Sequence, residues 1–256
     1  MLIDTHCHLY LPEYDRDLET VMERALQAGV EKFYLPAIDS RTMERVLQME
    51  ERYPSVAFAM AGLHPCSVKE DFRTELDLIR QLLQSRKFVA IGEVGLDYYW
   101  DKTFVMQQQE AFREQINLAR QYSLPVIIHS RNATRECLDI ILENLDGKLK
   151  GIFHCFSGDE KMALEIGETG FLLGIGGVIT YKNAGLAEAL ANVPLEYMVL
   201  ETDAPYLTPV PFRGKRNESS YLSFIVQKLA DVKGVSVEEV EEITTANAQR
   251  VFGARS

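Results

Sequence analysis

The sequence has few cysteines, no long apolar run and a deficit of positive charge. Its four cysteines, Cys7, Cys66, Cys137 and Cys155, form no Cys-x-x-Cys pair, which argues against a disulfide framework and a structural zinc knuckle. No apolar run approaches the roughly 18 residues of a membrane span, and the first residues lack the basic and apolar pattern of a signal peptide. We therefore expect a cytoplasmic protein that does not bind membranes, and no feature indicates an obligate protein partner.

The charge balance limits the substrates that this chain can hold. Lysine and arginine number 27 against 38 aspartates and glutamates, a formal net charge of −11. Loose electrostatic binding to nucleic acid is disfavoured by that charge, so an anionic substrate has to be held by local cations. The 256 residues are 46% hydrophobic and 25% charged, as in a globular protein with a substantial core. We expect one domain over residues 1–256, since α/β barrels use about 250 residues.

Hydrophobic periodicity predicts eight strands that alternate with helices. This pattern favours a (β/α)8 TIM barrel. An open doubly wound sheet is the alternative, but it needs a glycine-rich phosphate turn after the first strand, where this chain has histidines. After an N-terminal strand, the predicted strands are 32–38, 56–63, 88–92, 125–129, 151–154, 171–175 and 197–200. The predicted helices are 15–28, 41–53 with Ser40 as its N-cap, 75–85, 105–122, 131–145, 160–168, 186–191, 219–232 and 237–252.

The chain has only five histidines, and all of them lie at the ends of apolar runs. His6 and His8 are spaced one residue apart, so that in a strand both imidazoles share a face and can converge on one cation. His64, His129 and His154 close later runs. Glu93 and Asp203 also follow apolar runs, and an unpaired buried carboxylate is costly. Barrel enzymes carry their chemistry at the C-terminal ends of the strands, so we favour a metal site there over separate salt bridges.

The motifs around these residues resemble those of the TatD family of metal-dependent hydrolases, which are amidohydrolase-like barrels. The resemblance extends over the whole chain. It implies two divalent ions, the first held by His6, His8, Glu93 and Asp203, and the second by Glu93, His129 and His154. The motifs that carry it are Asp4-Thr5-His6-Cys7-His8, Gly62-Leu63-His64-Pro65, Gly92-Glu93-Val94-Gly95-Leu96-Asp97, His129-Ser130-Arg131, His154-Cys155-Phe156-Ser157-Gly158 and Glu201-Thr202-Asp203-Ala204-Pro205-Tyr206.

Such a site predicts two-metal hydrolysis. Two ions about 3.5 to 4 Å apart activate a shared water and stabilise the leaving oxygen of a phosphoester. Asp203 would accept the proton from that water, and Glu93 would bridge the ions. Mixed histidine and carboxylate ligands suit zinc, manganese, iron or nickel, and magnesium less well.

Residues for holding a substrate are predicted around the metal site, at the C-terminal end of the barrel, which we call the mouth. Arg131 lies two residues past His129, and Arg213, Lys215 and Arg216 lie in the loop after the eighth strand, where they could bind a phosphodiester. The alternative is an ordinary solvated loop. His64 either hydrogen-bonds the substrate or orients the site, or it is a strand-end histidine held by Pro65 and a backbone carbonyl. Glu201 either fixes a metal ligand or pairs with a basic side chain.

The aromatic segment at residues 98–100 could line a nucleotide pocket, although a packed loop is the favoured interpretation.

Three functions remain open. The first is a phosphodiesterase, most concretely an exonuclease-type deoxyribonuclease that acts on DNA, as the resemblance implies. The second is a hydrolase of the C–N or C–O bond of a small metabolite. Many such relatives carry a carbamylated lysine on the fourth strand, whereas residues 92–97 contain no lysine. The third is a non-catalytic metal-dependent binding module.

Overall fold

Strands and helices alternate along the chain, as the periodicity predicts. The computed structural model describes residues 1–253. Its strands are β1 Leu2–Asp4, β2 Val30–Leu35, β3 Ala57–Ala59, β4 Ile91–Asp97, β5 Val126–Arg131, β6 Gly151–Phe153, β7 Leu172–Ile175 and β8 Met198–Leu200. Its helices are α1 Leu18–Gln27, α2 Ser40–Arg52, α3 Phe72–Ser85, α4 Val105–Tyr122, α5 Thr134–Asn144, α6 Glu160–Glu168, α7 Leu186–Leu190, α8 Leu222–Lys233 and α9 Val237–Phe252.

The strands form a closed parallel ring. Hydrogen-bonded pairing runs from β1 to β3 and from β4 to β8, and every pair is parallel. A parallel bridge between Ala61 and Ile91 joins the two groups of strands at one junction. At the other junction the amide of Thr5 donates to the carbonyl oxygen of Leu200 over 3.0 Å. The ring confirms the predicted (β/α)8 barrel and excludes the open sheet.

The barrel interior is filled below the strand ends. Each of the eight strands, or the residue beside it, contributes one buried side chain to an inner cluster, and α9 closes the cluster from below. Phe252 of α9 stacks on Tyr34 with ring centroids 3.8 Å apart. Because this end is packed, the barrel interior offers space for a site at the C-terminal ends of the strands. The inner cluster comprises Ile3, Tyr34, Met60, Ala90, Ile127, Ile152, Leu172, Val199, Ala248, Val251 and Phe252.

Some boundaries differ from the prediction. The helices predicted at 105–122, 160–168 and 237–252 match the structure, whereas β4 begins and ends later than the predicted 88–92. Glu93 therefore lies inside β4 and not after it, because pairing with β5 continues as far as Asp97. The strand predicted at 56–63 is reduced to β3, and the first turn of the helix predicted at 219–232 is a 3-10 helix, Ser219–Tyr221.

The N-cap of α2 is Asp39, and the prediction of Ser40 is wrong. The Asp39 carboxylate accepts hydrogen bonds from the amides of Arg41 and Thr42. A carboxylate can accept two amides at once, whereas the Ser40 hydroxyl donates to Glu75 instead.

Among the helices of residues 1–253, none is both long and apolar enough to cross a membrane.

A buried carboxylate ties β1 to β8 where the ring closes. Asp4 accepts hydrogen bonds from the Thr202 amide at 2.9 Å, the Thr202 hydroxyl at 2.6 Å and the Ser219 hydroxyl at 2.6 Å. Burial raises the pKa of Asp4 to about 7, although these hydrogen bonds act in the opposite direction. The carboxyl is thus costly to bury, and its bonds link the first strand to the segment that carries Asp203.

We expect Asp4→Ala to lower the free energy of unfolding by about 2 to 4 kcal/mol, because it leaves three buried donors without their acceptor. Urea unfolding measures the change. The matched control is Asp139→Ala, which removes an exposed carboxylate paired with Arg135 in α5 and should change stability by less than about 0.5 kcal/mol. Equal effects of the two substitutions would show that Asp4 does not secure the closure.

Candidate metal centre

A cluster of histidines and acids lies at the C-terminal ends of the strands. His129 and Glu93 belong to β5 and β4, and His154 directly follows β6. Alternation along the strands places His129 and His154 two residues beyond the inner-cluster residues Ile127 and Ile152, and therefore on the same inward face. The segment after β1 supplies His6 and His8, and the segment after β8 supplies Asp203. The structure thus brings together all six residues predicted as metal ligands.

Glu93 lies at the centre of this cluster. Its Oε2 is 3.3 Å from Nε2 of His6 and 3.6 Å from Nε2 of His8. Its Oε1 is 2.9 Å from Nδ1 of His129 and 3.2 Å from Nε2 of His154. The two carboxylate oxygens therefore face two different groups of imidazole nitrogens, and the side chain is only 3% exposed.

The first group has the spacing of a cation site. The Nε2 atoms of His6 and His8 are 3.3 Å apart, and they lie 3.7 and 3.5 Å from Oδ1 of Asp203. Ligand atoms about 2.1 Å from a tetrahedral ion are about 3.4 Å from one another. The donors of this group therefore fit one divalent ion without a change of backbone.

Hydrogen bonds decide which imidazole nitrogen carries the proton. Nδ1 of His8 is 2.8 Å from the hydroxyl of Tyr10, and that hydroxyl donates to the carbonyl oxygen of Pro36 at 2.7 Å. Tyr10 therefore accepts the proton of His8 Nδ1. A neutral imidazole has one N–H, so Nε2 of His8 directs its lone pair into the cluster.

The same logic applies to the histidines of the second group. Nε2 of His129 is 2.9 Å from Oδ2 of Asp97, and Nδ1 of His154 is 3.2 Å from Oε1 of Glu201. Each carboxylate accepts a proton of its histidine. Burial acts against protonation of both rings, but Asp97, Glu201 and Glu93 raise their pKa values, so without an ion each ring also donates to Oε1 of Glu93. When the ring is neutral, that nitrogen directs a lone pair toward a cation beside Glu93. This arrangement is typical of metal-binding histidines that are oriented by carboxylates.

His64 has the opposite arrangement. Its Nδ1 accepts a hydrogen bond from the amide of Cys66 at 3.0 Å, so the proton of the neutral ring is on Nε2. That nitrogen lies 3.3 Å from Oε1 of Glu93. His64 therefore faces the centre as a hydrogen-bond donor and not as a metal ligand. Its backbone amide donates to the carbonyl oxygen of Ile38 at 2.8 Å, so the contact with a backbone carbonyl that the alternative interpretation expected is present as well.

The buried acids of the centre are anions. Burial alone would raise the pKa of Glu93, but the positive charge that His64, His154 and His6 carry when protonated holds it well below its ordinary value. Burial also acts against ionisation of Asp203, whose pKa is nevertheless lowered by the neighbouring imidazoles of His8, His154 and His6. Nδ1 of His6 is buried and has no hydrogen-bond partner among the residues that the structure describes. Two buried anions among imidazoles make the centre suited to divalent cations.

The sequence did not reveal several residues that orient the centre. Asp97 and Tyr10 were not predicted to have these roles, although Asp97 closes the apolar strand β4 and this position could have indicated it. Glu201 is fully buried, and its Oε1 also accepts a hydrogen bond from the amide of Cys155 at 2.5 Å. Within residues 1–253 its ion-pair partner is His154, and it pairs with no lysine or arginine. The structure therefore favours the first of the two interpretations of Glu201.

The predicted substrate-binding cations have different environments. The guanidinium of Arg131 lies 3.9 Å from the ring centroid of Tyr99. Arg213 lies over Tyr181 and Lys215 over Phe212, and in the described part of the chain none of these three cations pairs with a carboxylate. Arg216 differs, because it forms two hydrogen bonds with Asp17 at 2.8 and 2.6 Å. Its charge is thereby neutralised, so of the predicted cations it is the least available to a substrate.

Comparison with known proteins agrees with this geometry. The family model described as "TatD related DNase" matches residues 3–253. An uncharacterized metal-dependent hydrolase of Bacillus subtilis, YabD, is 43% identical over 98% of this chain and 99% of its own length. The human protein named deoxyribonuclease TATDN3 is 36% identical over 98% of this chain and 94% of its own length.

A solved structure supports the same relationship. The crystal structure of YjjV, a TatD homolog from Escherichia coli K12, superposes with a TM-score of 0.93. The two sequences are 32% identical, and the match covers 99% of this chain and 98% of YjjV. The chain therefore belongs to the TatD family of metal-dependent hydrolases.

Proposed function

We propose that this protein is a two-metal phosphodiesterase that acts as an exonuclease-type deoxyribonuclease. The observation that carries the proposal is the position of Glu93, whose two oxygens face two groups of donors. The name of the human relative, deoxyribonuclease TATDN3, supports DNA as the substrate. In this proposal the first ion is held by His6, His8, Glu93 and Asp203, and the second by Glu93, His129 and His154.

When bound, two divalent ions activate a water and polarise the phosphoryl group. The protein side chains supply the remaining steps. Oδ1 of Asp203 faces His6 and His8, so we assign its other oxygen, Oδ2, as the acceptor of the proton from the attacking water. Nε2 of His64 carries its proton toward Oε1 of Glu93 and would donate it in a hydrogen bond to a phosphoryl oxygen bound there.

Cations near the mouth would hold the rest of the substrate. Arg131, Arg213 and Lys215 lack carboxylate partners among residues 1–253, so each retains a charge for a phosphate. Three cations and two divalent ions would make the mouth positive, although the chain as a whole carries −11. This local field removes the apparent conflict between an acidic protein and a polyanionic substrate.

We expect Asp203→Asn to abolish hydrolysis of oligonucleotides, by at least about 100-fold in kcat, because the variant loses a proton acceptor and weakens a ligand. Turnover is measured in defined zinc, manganese, magnesium, iron or nickel, with DNA, RNA and small phosphoesters as substrates. Near-normal rates at normal metal content would show that Asp203 is not the base.

Wild-type protein that cleaves no phosphodiester in any metal but hydrolyses a carbonyl substrate would favour the small-metabolite hydrolase. Bound metal without any turnover would favour the binding module.

We expect Glu93→Gln to lose both ions, whereas His129→Ala keeps the first ion and loses most of the second. Elemental analysis of purified protein at a fixed free metal concentration measures the occupancy. Glu114→Gln is the control, because Glu114 pairs with Arg80 outside the centre. Full occupancy of two ions in Glu93→Gln would contradict the bridging position.

We expect the double variant Arg213→Gln/Lys215→Gln to raise the KM for oligonucleotides several-fold. It should also flatten the salt dependence of binding, by about 0.7 to 0.9 in log–log slope for each phosphate that the loop no longer neutralises. The KM for a small phosphodiester should change little, because such a substrate reaches only the metals. Arg216→Gln provides the contrast, since its partner is Asp17 and its loss should chiefly reduce stability. An unchanged salt slope in the double variant would show that the loop is ordinary solvated surface.

A further inference from the structure

Two large aromatic side chains are exposed beside the metal centre. Tyr99 and Trp100 follow the end of β4 and are 51% and 68% exposed. Their rings form an edge-to-face pair with centroids 4.9 Å apart. The sequence favoured a packed loop here, and for these two residues that interpretation is wrong. Only Tyr98 packs inward, where its hydroxyl accepts a hydrogen bond from Gln109 of α4.

The exposed pair is held in place by the carboxylate that orients a proposed ligand. Oδ1 of Asp97 accepts hydrogen bonds from the amides of Tyr99 at 2.9 Å and Trp100 at 3.1 Å. Oδ2 of the same residue accepts the proton of His129 Nε2. One buried side chain therefore sets the position of the aromatic pair relative to the metal centre.

A cation completes this surface. Arg131 is directly opposite Asp97 in the β4–β5 pairing, and its guanidinium lies 3.9 Å from the ring centroid of Tyr99 and 5.2 Å from that of Trp100. Its backbone carbonyl accepts the amide of Tyr98, which fixes the loop against β5. The cation occupies the face of Tyr99, whereas most of the surface of Trp100 is exposed.

We propose that Trp100, supported by Tyr99 and Arg131, is a stacking subsite for a nucleobase of the strand that is cleaved at the metal centre. The inference rests on the proposed phosphodiesterase function. A ligand for this surface needs a flat aromatic face for Trp100 and an adjacent anion for Arg131, and a nucleotide within a strand offers both. Every base has an aromatic face, so the subsite accepts any sequence.

The subsite lies on the opposite side of the mouth from the loop after β8 that carries Arg213 and Lys215, the basic loop. β4 and β8 are four strands apart in a ring of eight, so the loops that follow them lie on opposite sides of the centre. A strand that stacks on Trp100 and binds Arg213 and Lys215 crosses the metal centre between those contacts. The aromatic pair and the basic loop thus bind different nucleotides of one strand.

Intrinsic fluorescence tests the inference directly, because Trp100 is the sole tryptophan of the sequence. The probe is a phosphorothioate oligonucleotide, which resists hydrolysis, and its match is the same backbone with abasic residues. We expect the base-containing probe to quench Trp100 emission in a saturable manner, whereas the abasic probe binds with little quenching. Equal quenching by both probes, or none by either, overturns the subsite.

Steady-state kinetics supply a second readout. Base stacking on an aromatic side chain predicts that Trp100→Ala raises the KM for an oligonucleotide roughly 5- to 100-fold with little change in kcat, and that Trp100→Phe restores most of the affinity. Leu142→Ala is the control, since Leu142 is an exposed apolar residue of α5 near the end of that helix, away from the mouth. Normal metal content and circular dichroism establish that the variants are folded.

The outcomes separate this inference from the proposed function. If the wild type cleaves oligonucleotides while Trp100→Ala has an unchanged KM, the subsite is wrong and the phosphodiesterase remains. Failure of Trp100→Phe to restore affinity also overturns stacking. If the wild type cleaves no phosphodiester, the proposed function is wrong, and base-dependent quenching still decides whether the aromatic pair binds nucleobases.

Discussion

The burial of one carboxylate governs the structure of the candidate site. Glu93 is almost completely removed from water, and nitrogens of all five histidines lie within 3.6 Å of its two oxygens. An isolated anion in such a place is unfavourable by several kcal/mol. Neighbouring positive charge, from protonated imidazoles or from divalent ions, has to offset that cost. The proposed metal centre is therefore a consequence of the placement of Glu93 inside β4.

Orientation of the imidazoles depends on a second set of buried groups. Asp97, Glu201 and Tyr10 each accept a proton of one histidine, so that in the neutral ring the opposite nitrogen is free to bind a cation. His64 lacks such an acceptor and instead accepts an amide itself. For His8, His129, His154 and His64, hydrogen bonds outside the cluster thus distinguish a ligand from a donor, although all four residues are histidines. Asp97 also holds the aromatic pair, so that one side chain relates the metal centre to the proposed base subsite.

The sequence determined much of the fold and the composition of the site. Apolar runs of strand length alternating with amphipathic helices predicted the barrel, and three helices match in both boundaries. His6, His8, His129, His154, Glu93 and Asp203 could be selected because polar residues at the ends of buried strands are rare without a partner. Alternation along a strand then predicts a shared face, which is a local property of the chain.

Only the tertiary structure decided how these residues are used. β4 extends to Asp97 because it pairs with β5, and no local pattern in residues 93–97 specifies a partner strand. Position in the chain groups Arg216 with Arg213 and Lys215, but Asp17, which pairs with Arg216, is 199 residues away. The exposure of Trp100 likewise depends on which side of the loop meets α4. Local sequence determines which side chains reach a strand end, whereas hydrogen-bond partners, proton positions and exposure depend on residues that are distant in the chain and meet only when the ring closes.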